Sequence, residues 1–208
     1  MEWAKEPISG VSTRIVLLTN SFESMEGNSM IAQHLAVSLA CAYISYSFIE
    51  YSVHRWAMHR MRIAKVLRSS FLRVLCYNHM ARHHKREYRH ETDEEDDRLS
   101  HISIAGILVG IPVAALMYWI DPFTLGVTIV FGMFYSVFWW IVHTEMHRDK
   151  GTFFSKNAVF RYLEYRHQLH HEFPGTNYNV VLPLFDWVFR TYKVPKPKRH
   201  SPSSQTSH

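Results

Sequence analysis

The sequence predicts an all-α integral membrane protein: about three transmembrane helices carrying a cytosolic histidine-rich helical cap. Three observations carry that expectation. The chain of 208 residues contains three long windows without a charged residue. Its Lys and Arg residues crowd into the segments between and after those windows. Its histidines, 15 in all, gather in short clusters whose spacings are mostly those of a helix face.

The windows come first. No Asp, Glu, Lys or Arg lies between Glu26 and Glu50, and the apolar part runs from about Met30 to Ser52. The second window, ISIAGILVGIPVAALMYWI, lies between Arg98 and Asp121, and the third, PFTLGVTIVFGMFYSVFWWIV, between Asp121 and Glu145. Each approaches the roughly 20 residues that cross a hydrocarbon core. The last two are joined only through Asp121-Pro122, which implies an antiparallel hairpin. The competing reading, three buried helices of a soluble bundle, calls for shorter and more amphipathic segments. The first window carries His34 and follows a Gly/Asn/Ser stretch, which leaves open a bend or re-entrant turn there.

Charge supplies the orientation. Of the 23 Lys and Arg residues, 11 fall in 54–101, 10 in 143–208 and two in the first 30 residues. By the positive-inside rule the two basic segments face the cytosol, and with three spans the N-terminus lies opposite. The net charge of +5 is therefore accounted for by membrane topology, and nucleic acid is not a required partner. Residues 62–76, RIAKVLRSSFLRVLC, read as one helix lying among lipid headgroups, and YNVVLPLFDWVF (178–189) as a second interfacial patch broken at Pro183. The acidic run ETDEEDD (91–97) reads as a solvated loop. The organisation expected is an N-terminal segment 1–29, a membrane domain 30–193 and a disordered basic tail 194–208. The two cysteines, Cys41 and Cys76, form no CxxC pair, so neither a disulfide framework nor a thiolate metal site is indicated. The N-terminus lacks the basic and long apolar regions of a signal peptide.

Ten histidines form four clusters: His54 and His59; His79, His83 and His84; His143 and His147; His167, His170 and His171. At about 100° per residue, positions i, i+3 and i+4 share one arc of a helix. That puts His167, His170 and His171 on one side, as it does His143 with His147 and His79 with His83. His54 and His59, five apart, lie about 140° from one another on an α-helix, and His84 is displaced likewise from His79. Either the backbone is distorted there or the paired histidines serve different ions. Ten imidazoles exceed the needs of one four- to six-coordinate ion and suit two, with positions left open. Glu145, Glu164 and Glu172 are near enough in sequence to orient such ligands. His34, His90 and His101 stand alone and read as structural or surface residues; His200 and His208 belong to the tail.

EYSVHRWAMH, HMARHH, HTEMH and HQLHH, in that order and with a membrane hairpin between the second and third, resemble the fatty acid hydroxylase superfamily of membrane-bound di-iron enzymes, with sterol desaturase and carotene hydroxylase relatives. The resemblance spans roughly residues 45–192, and NYNVVLPLFDWVFRTY resembles the family's closing segment. It implies O2-dependent hydroxylation of a membrane lipid, most simply a fatty-acyl chain, with two iron ions held by the ten clustered histidines. Carotenoid or sterol hydroxylation, or desaturation, stays open beside it. One departure stands out: the family's second cluster commonly reads HxxHH, whereas Met80 occupies the first histidine's place here, which puts the role of His79 in question. Electrons are expected from a separate donor, such as cytochrome b5 or a ferredoxin with its reductase. The rival outside enzymology is a membrane metal-binding or transport protein, though transport more often places ionisable ligands inside the spans. The membrane would be the endoplasmic reticulum in a eukaryote and the inner membrane in a bacterium.

Overall fold

The computed structural model describes residues 9–84, 95–148 and 153–194. Three of its helices are long and apolar enough to cross a membrane. Helix α1 (Ser9–Ser52) runs 44 residues without interruption, about 66 Å at 1.5 Å per residue. The re-entrant turn left open by the sequence is absent, and Gly27-Asn28-Ser29 is helical rather than a loop. The last residues of α1 pass directly into a π-helical turn, Val53–Met58. Helices α4 (Glu95–Ile120) and α5 (Pro122–Met146) form the expected hairpin. Its turn is a helix cap: Asp121 accepts from the N–H groups of Phe123 and Thr124, and Pro122 occupies the first helical position, where no donor is needed. Of the acidic run read as a loop, Glu95 to Asp97 open α4, and 91–94 lie outside the described residues.

Packing among the spans is inverted relative to a water-soluble bundle. Small and hydroxyl residues face inward (Ser38, Ala42, Ser45 and Ser47 of α1 with Thr124, Thr128 and Gly132 of α5), and the Ser38 and Thr124 hydroxyls share a buried hydrogen bond of 2.9 Å. Large apolar side chains face outward, with Trp119 87% exposed and Phe134 74% exposed. Lipid tails are as apolar as leucine, so helices in a bilayer gain by close backbone approach and interhelical hydrogen bonds rather than by burying oil. At Gly132 that approach is tightest: a Cβ there would run into the ring and hydroxyl of Tyr46.

Beyond the spans the sequence expectation needs one correction. The interfacial segment is two short helices, α2 (Met61–Val66) and α3 (Ser70–Tyr77), not one helix over 62–76. Arg68 takes a left-handed conformation (φ 51°), and the N–H groups of Ser69 and Arg68 close on the carbonyls of Ala64 and Lys65. That is a Schellman stop with arginine in glycine's usual place. Ser69 then caps α3 by accepting from the Leu72 N–H. Val53, Met58, Leu75 and Ala105 form a buried cluster that binds this helix pair to the end of α1 and to α4. Helix α3 continues into a second π-helical turn, Asn78–His83. Helix α6 (Ala158–Glu172) packs under the end of α5 through Val142, Met146, Phe160, Leu163 and Val180. The short α7 (Leu184–Val188) begins after Pro183, the break expected there.

Two glycines of α5 separate close approach from simple helix propensity. Gly126 has open space where a Cβ would stand. Gly126→Ala is expected to raise the midpoint of thermal unfolding in detergent slightly, a gain of up to about 1 kcal/mol. Gly132→Ala is expected to lower it, costing about 1–3 kcal/mol as Tyr46 is displaced; equal shifts for both would mean that α1 and α5 do not meet at Gly132.

A candidate metal centre of ten histidines

The irregular spacings in the sequence are resolved by the backbone. His54 with His59, and His79 with His84, bracket the two π-helical turns. In an i→i+5 helix, residues five apart stack on one face. Local distortion is thus the answer, and the two members of each pair point into one space. The His79 nitrogen consequently joins the group that holds His84, while its ring still stacks on that of His83 with centroids 4.9 Å apart, as the α-helical spacing expects.

The ring nitrogens assemble into two neighbouring groups. His54, His59, His79, His84 and His170 offer atoms that all lie within 4.8 Å of one another, and so do His83, His143, His147 and His167. His171 lies at the junction, its ring centroid 4.6 Å from that of His83 and 4.5 Å from that of His84. Its Nε2 is 3.1 Å from Nε2 of His167. Helix α6 lies across the boundary, so the single arc read from its sequence faces both groups, with His167 turned to one and His170 to the other. All ten clustered histidines are therefore brought together, His79 at the centre of the first group. Of the lone histidines, His34 bonds Asp121 at 2.8 Å and His101 stacks on Phe71 at 5.5 Å. His90, His200 and His208 lie outside the described residues.

Proton bookkeeping tests whether these residues suit a cation. His54 Nδ1 faces the carbonyl of Tyr178, and His170 Nδ1 faces that of Thr176 at 2.7 Å. A carbonyl only accepts, so both Nδ1 atoms carry hydrogen and both Nε2 atoms present lone pairs. His79 Nε2 lies 3.1 Å from that of His54, 3.0 Å from that of His59 and 3.2 Å from that of His84. His59 Nε2 also lies 3.1 Å from that of His170. One N–H cannot serve three acceptors, so lone pairs face one another across the group. In the second group, Nε2 of His147 and His167 are 3.0 Å apart, and buried His83 Nε2 and His167 Nδ1 have no hydrogen-bond partner among the described residues. Converging imidazole nitrogens with nowhere to put protons are what a first-row divalent ion satisfies. Spacings near 3.0 Å equal the edge between adjacent ligands of an octahedron with bonds of about 2.1 Å. The residues fit the metal.

Electrostatics agree. Burial first, then the neighbouring imidazoles, hold His59 down to about 2, and burial holds His84 at about 4. His79, His83, His167, His170 and His171 are lowered for the same reasons. Each is thereby kept in the neutral, ligating form.

The supports of the site were only partly legible. Of the carboxylates expected to orient the ligands, Glu145 bonds Arg148 at 2.7 Å and Glu172 is exposed. Backbone carbonyls of the segment after α6 do that work instead, at Tyr178 and Thr176. Asp186 holds that segment in place. Its carboxylate accepts from the N–H groups of Tyr178 (2.8 Å) and Asn179 (2.9 Å), the Thr191 hydroxyl (2.8 Å) and Arg166 of α6 (2.9 Å). Burial pushes this carboxyl up; those donors pull it back down. Asn177 takes a left-handed conformation, which asparagine tolerates, and ties down Thr191 and Lys193. Sequence reasoning also missed Trp139, whose indole stacks on His143 with centroids 4.7 Å apart and planes 11° apart. Its position four residues before His143 on one helix face was the available signal.

Two outcomes are expected. Asp186→Ala leaves buried Arg166 without its partner and should cost about 3–5 kcal/mol, read as loss of folded protein on heating in detergent; a variant as stable as wild type would contradict the buried pair. Histidines whose folded pKa is depressed contribute stability at neutral pH that is lost as pH falls. Metal-free protein should therefore unfold at constant temperature above pH 7 and at progressively lower temperature from about pH 6.5 toward pH 4, where His84 itself titrates. A midpoint that rises on acidification from pH 7 to pH 5 would contradict neutral buried imidazoles.

The family model of the fatty acid hydroxylases matches residues 39–191, a span that holds all ten clustered histidines and most of the closing segment stitched by Asp186. No curated protein and no solved structure matches the chain. With that match covering most of its length, this membrane chain with its paired histidine groups belongs to the fatty acid hydroxylase family.

Proposed function

We propose that the chain is an O2-dependent lipid hydroxylase whose ten clustered histidines hold two iron ions at the cytosolic face of the membrane, acting on a fatty-acyl or related lipid chain. The observation that carries this reading is the pair of adjoining nitrogen groups, whose converging ring nitrogens have too few protons to satisfy one another. His54, His59, His79, His84 and His170 would hold one ion and His83, His143, His147 and His167 the other, with His171 available to either. Bound iron would supply the activation of O2 and the oxidation of an unactivated C–H bond. The balanced reaction takes R–H, O2, two electrons and two protons to R–OH and water. No histidine outside the clusters is required, and the electrons are assigned to a separate donor protein such as cytochrome b5 or a ferredoxin with its reductase.

The protein's own part is to hold and exclude. The Tyr178 and Thr176 carbonyls fix two imidazoles in the tautomer that leaves Nε2 free. Trp139 holds the His143 ring in plane. Burial keeps the ligands unprotonated, so a bound ion does not compete with protons near neutral pH. His54 and His143 sit at the very ends of two apolar spans, so a lipid chain can approach from the bilayer while a soluble donor approaches from the other side.

Metal analysis of protein expressed with iron should return about two ions per chain. His170→Ala should insert normally and lose lipid oxidation. Lipids extracted from cells with and without the chain should differ by a product heavier by one oxygen. A product lighter by two hydrogens would make the enzyme a desaturase, and unchanged fatty-acid, sterol and carotenoid pools with two ions bound would leave a metal-binding protein.

A further inference from the structure

Glu50 is the only Asp, Glu, Lys or Arg between Gly27 and Val53. A carboxyl in a membrane span is costly and calls for a reason. Every partner it bonds among the described residues is a donor. Oε1 accepts from the N–H groups of Val180 (2.7 Å) and Val181 (3.2 Å) and from Nε1 of Trp139 (2.9 Å). Oε2 accepts from Nδ2 of Asn179 (3.0 Å) and from the Leu182 N–H (3.4 Å). The Asn179 amide cannot be turned round, because its Oδ1 accepts from the Asp186 N–H and its Nδ2 also donates to the Ser47 carbonyl. The Ser47 hydroxyl closes the same stretch by donating to the Leu182 carbonyl at 2.7 Å.

These partners lead to both histidine groups. The backbone from Asn179 to Leu182 continues from Tyr178, whose carbonyl fixes His54. The Trp139 indole, tethered by its N–H, lies flat against His143. His54 belongs to the five-histidine group and His143 to the four-histidine group. We infer that Glu50 is a positioning residue for both metal groups: one carboxylate orients His54 through the Tyr178–Leu182 backbone and His143 through Trp139, and so sets the two groups against each other. The inference rests on the reading that the groups hold metal. It accounts for a span residue that contacts no ring nitrogen itself and that the histidine pattern does not call for.

Glu50→Gln keeps the shape but places an N–H where an acceptor is needed, so one set of donors loses its partner. Outer partners of metal ligands commonly change metal affinity by about 10–100-fold. Protein loaded anaerobically with 57Fe(II) should therefore release iron to a chelator at least about tenfold faster in the Glu50→Gln variant, with Glu50→Asp intermediate. Ser38→Ala removes a buried bond of the same helix, far along the span from the histidines, and serves as the control for general loosening; it should release iron at the wild-type rate. Trp139→Phe keeps a ring against His143 but cuts its tether to Glu50, and should shift one of two Mössbauer quadrupole doublets while leaving the other in place. If Glu50→Gln releases iron no faster than Ser38→Ala, the inference falls while the metal reading stands. Should Glu50→Gln fail to insert, a wild-type spectrum from Trp139→Phe overturns the inference alone. Wild-type protein that binds no iron overturns both.

Discussion

Imidazole nitrogens carrying lone pairs repel when packed within about 3 Å of one another, unless something positive lies between them. Eight of the ten clustered histidines are folded into that situation, with His83 and His143 close beside them, inside a space where desolvation works against protonation. Taking up protons cannot relieve the repulsion, because a charged imidazole would be buried among others. The remaining structure can be understood as what is needed to hold the rings there: three spans to raise the helix ends, two π-helical turns to aim the rings, and a stitched closing segment to fix their tautomers.

The π-helical turns are the least obvious of these devices. An α-helix would set His54 and His59 about 140° apart, and one of the two rings would face the wrong way. One wider turn brings both onto a single face without a break in the chain, since Val53–Met58 follows α1 directly and Asn78–His83 follows α3 directly. Each turn is anchored at its base, by the Val53–Met58–Leu75–Ala105 cluster for both. The energetic cost of poorer hydrogen-bond geometry in a π-turn is accepted where ligand direction matters more than helix regularity.

The closing segment, Asn177 to Lys193, is held by hydrogen bonds as well as by the burial of Val180 against α5 and α6. Asp186 gathers four donors and Glu50 five, and between them lies the backbone that faces His54. Two carboxylates that would be liabilities near a bilayer are thereby satisfied from several sides at once, which is the condition under which buried polar networks become rigid. Rigidity is what a metal centre requires of its outer partners.

By itself the sequence determined the class of fold, the three spans, the hairpin at Asp121-Pro122 and the identity of the clustered histidines. Hydropathy over 20 residues and the count of imidazoles are properties of composition, readable without coordinates. Several matters were settled only by tertiary structure. Stacked His79 and His83 offer their nitrogens to different groups, and α6 serves two groups with one face, because the partner of a nitrogen is chosen by what lies across the space and not by its own helix. The break at Arg68 depends on a left-handed residue that no propensity announces. The carbonyls of Thr176 and Tyr178 replaced the expected carboxylates because a backbone group has no sequence signature. Glu50 reaches Val180 across 130 residues of chain; spacing rules end at one helix, and contacts of that range exist only after the helices have packed.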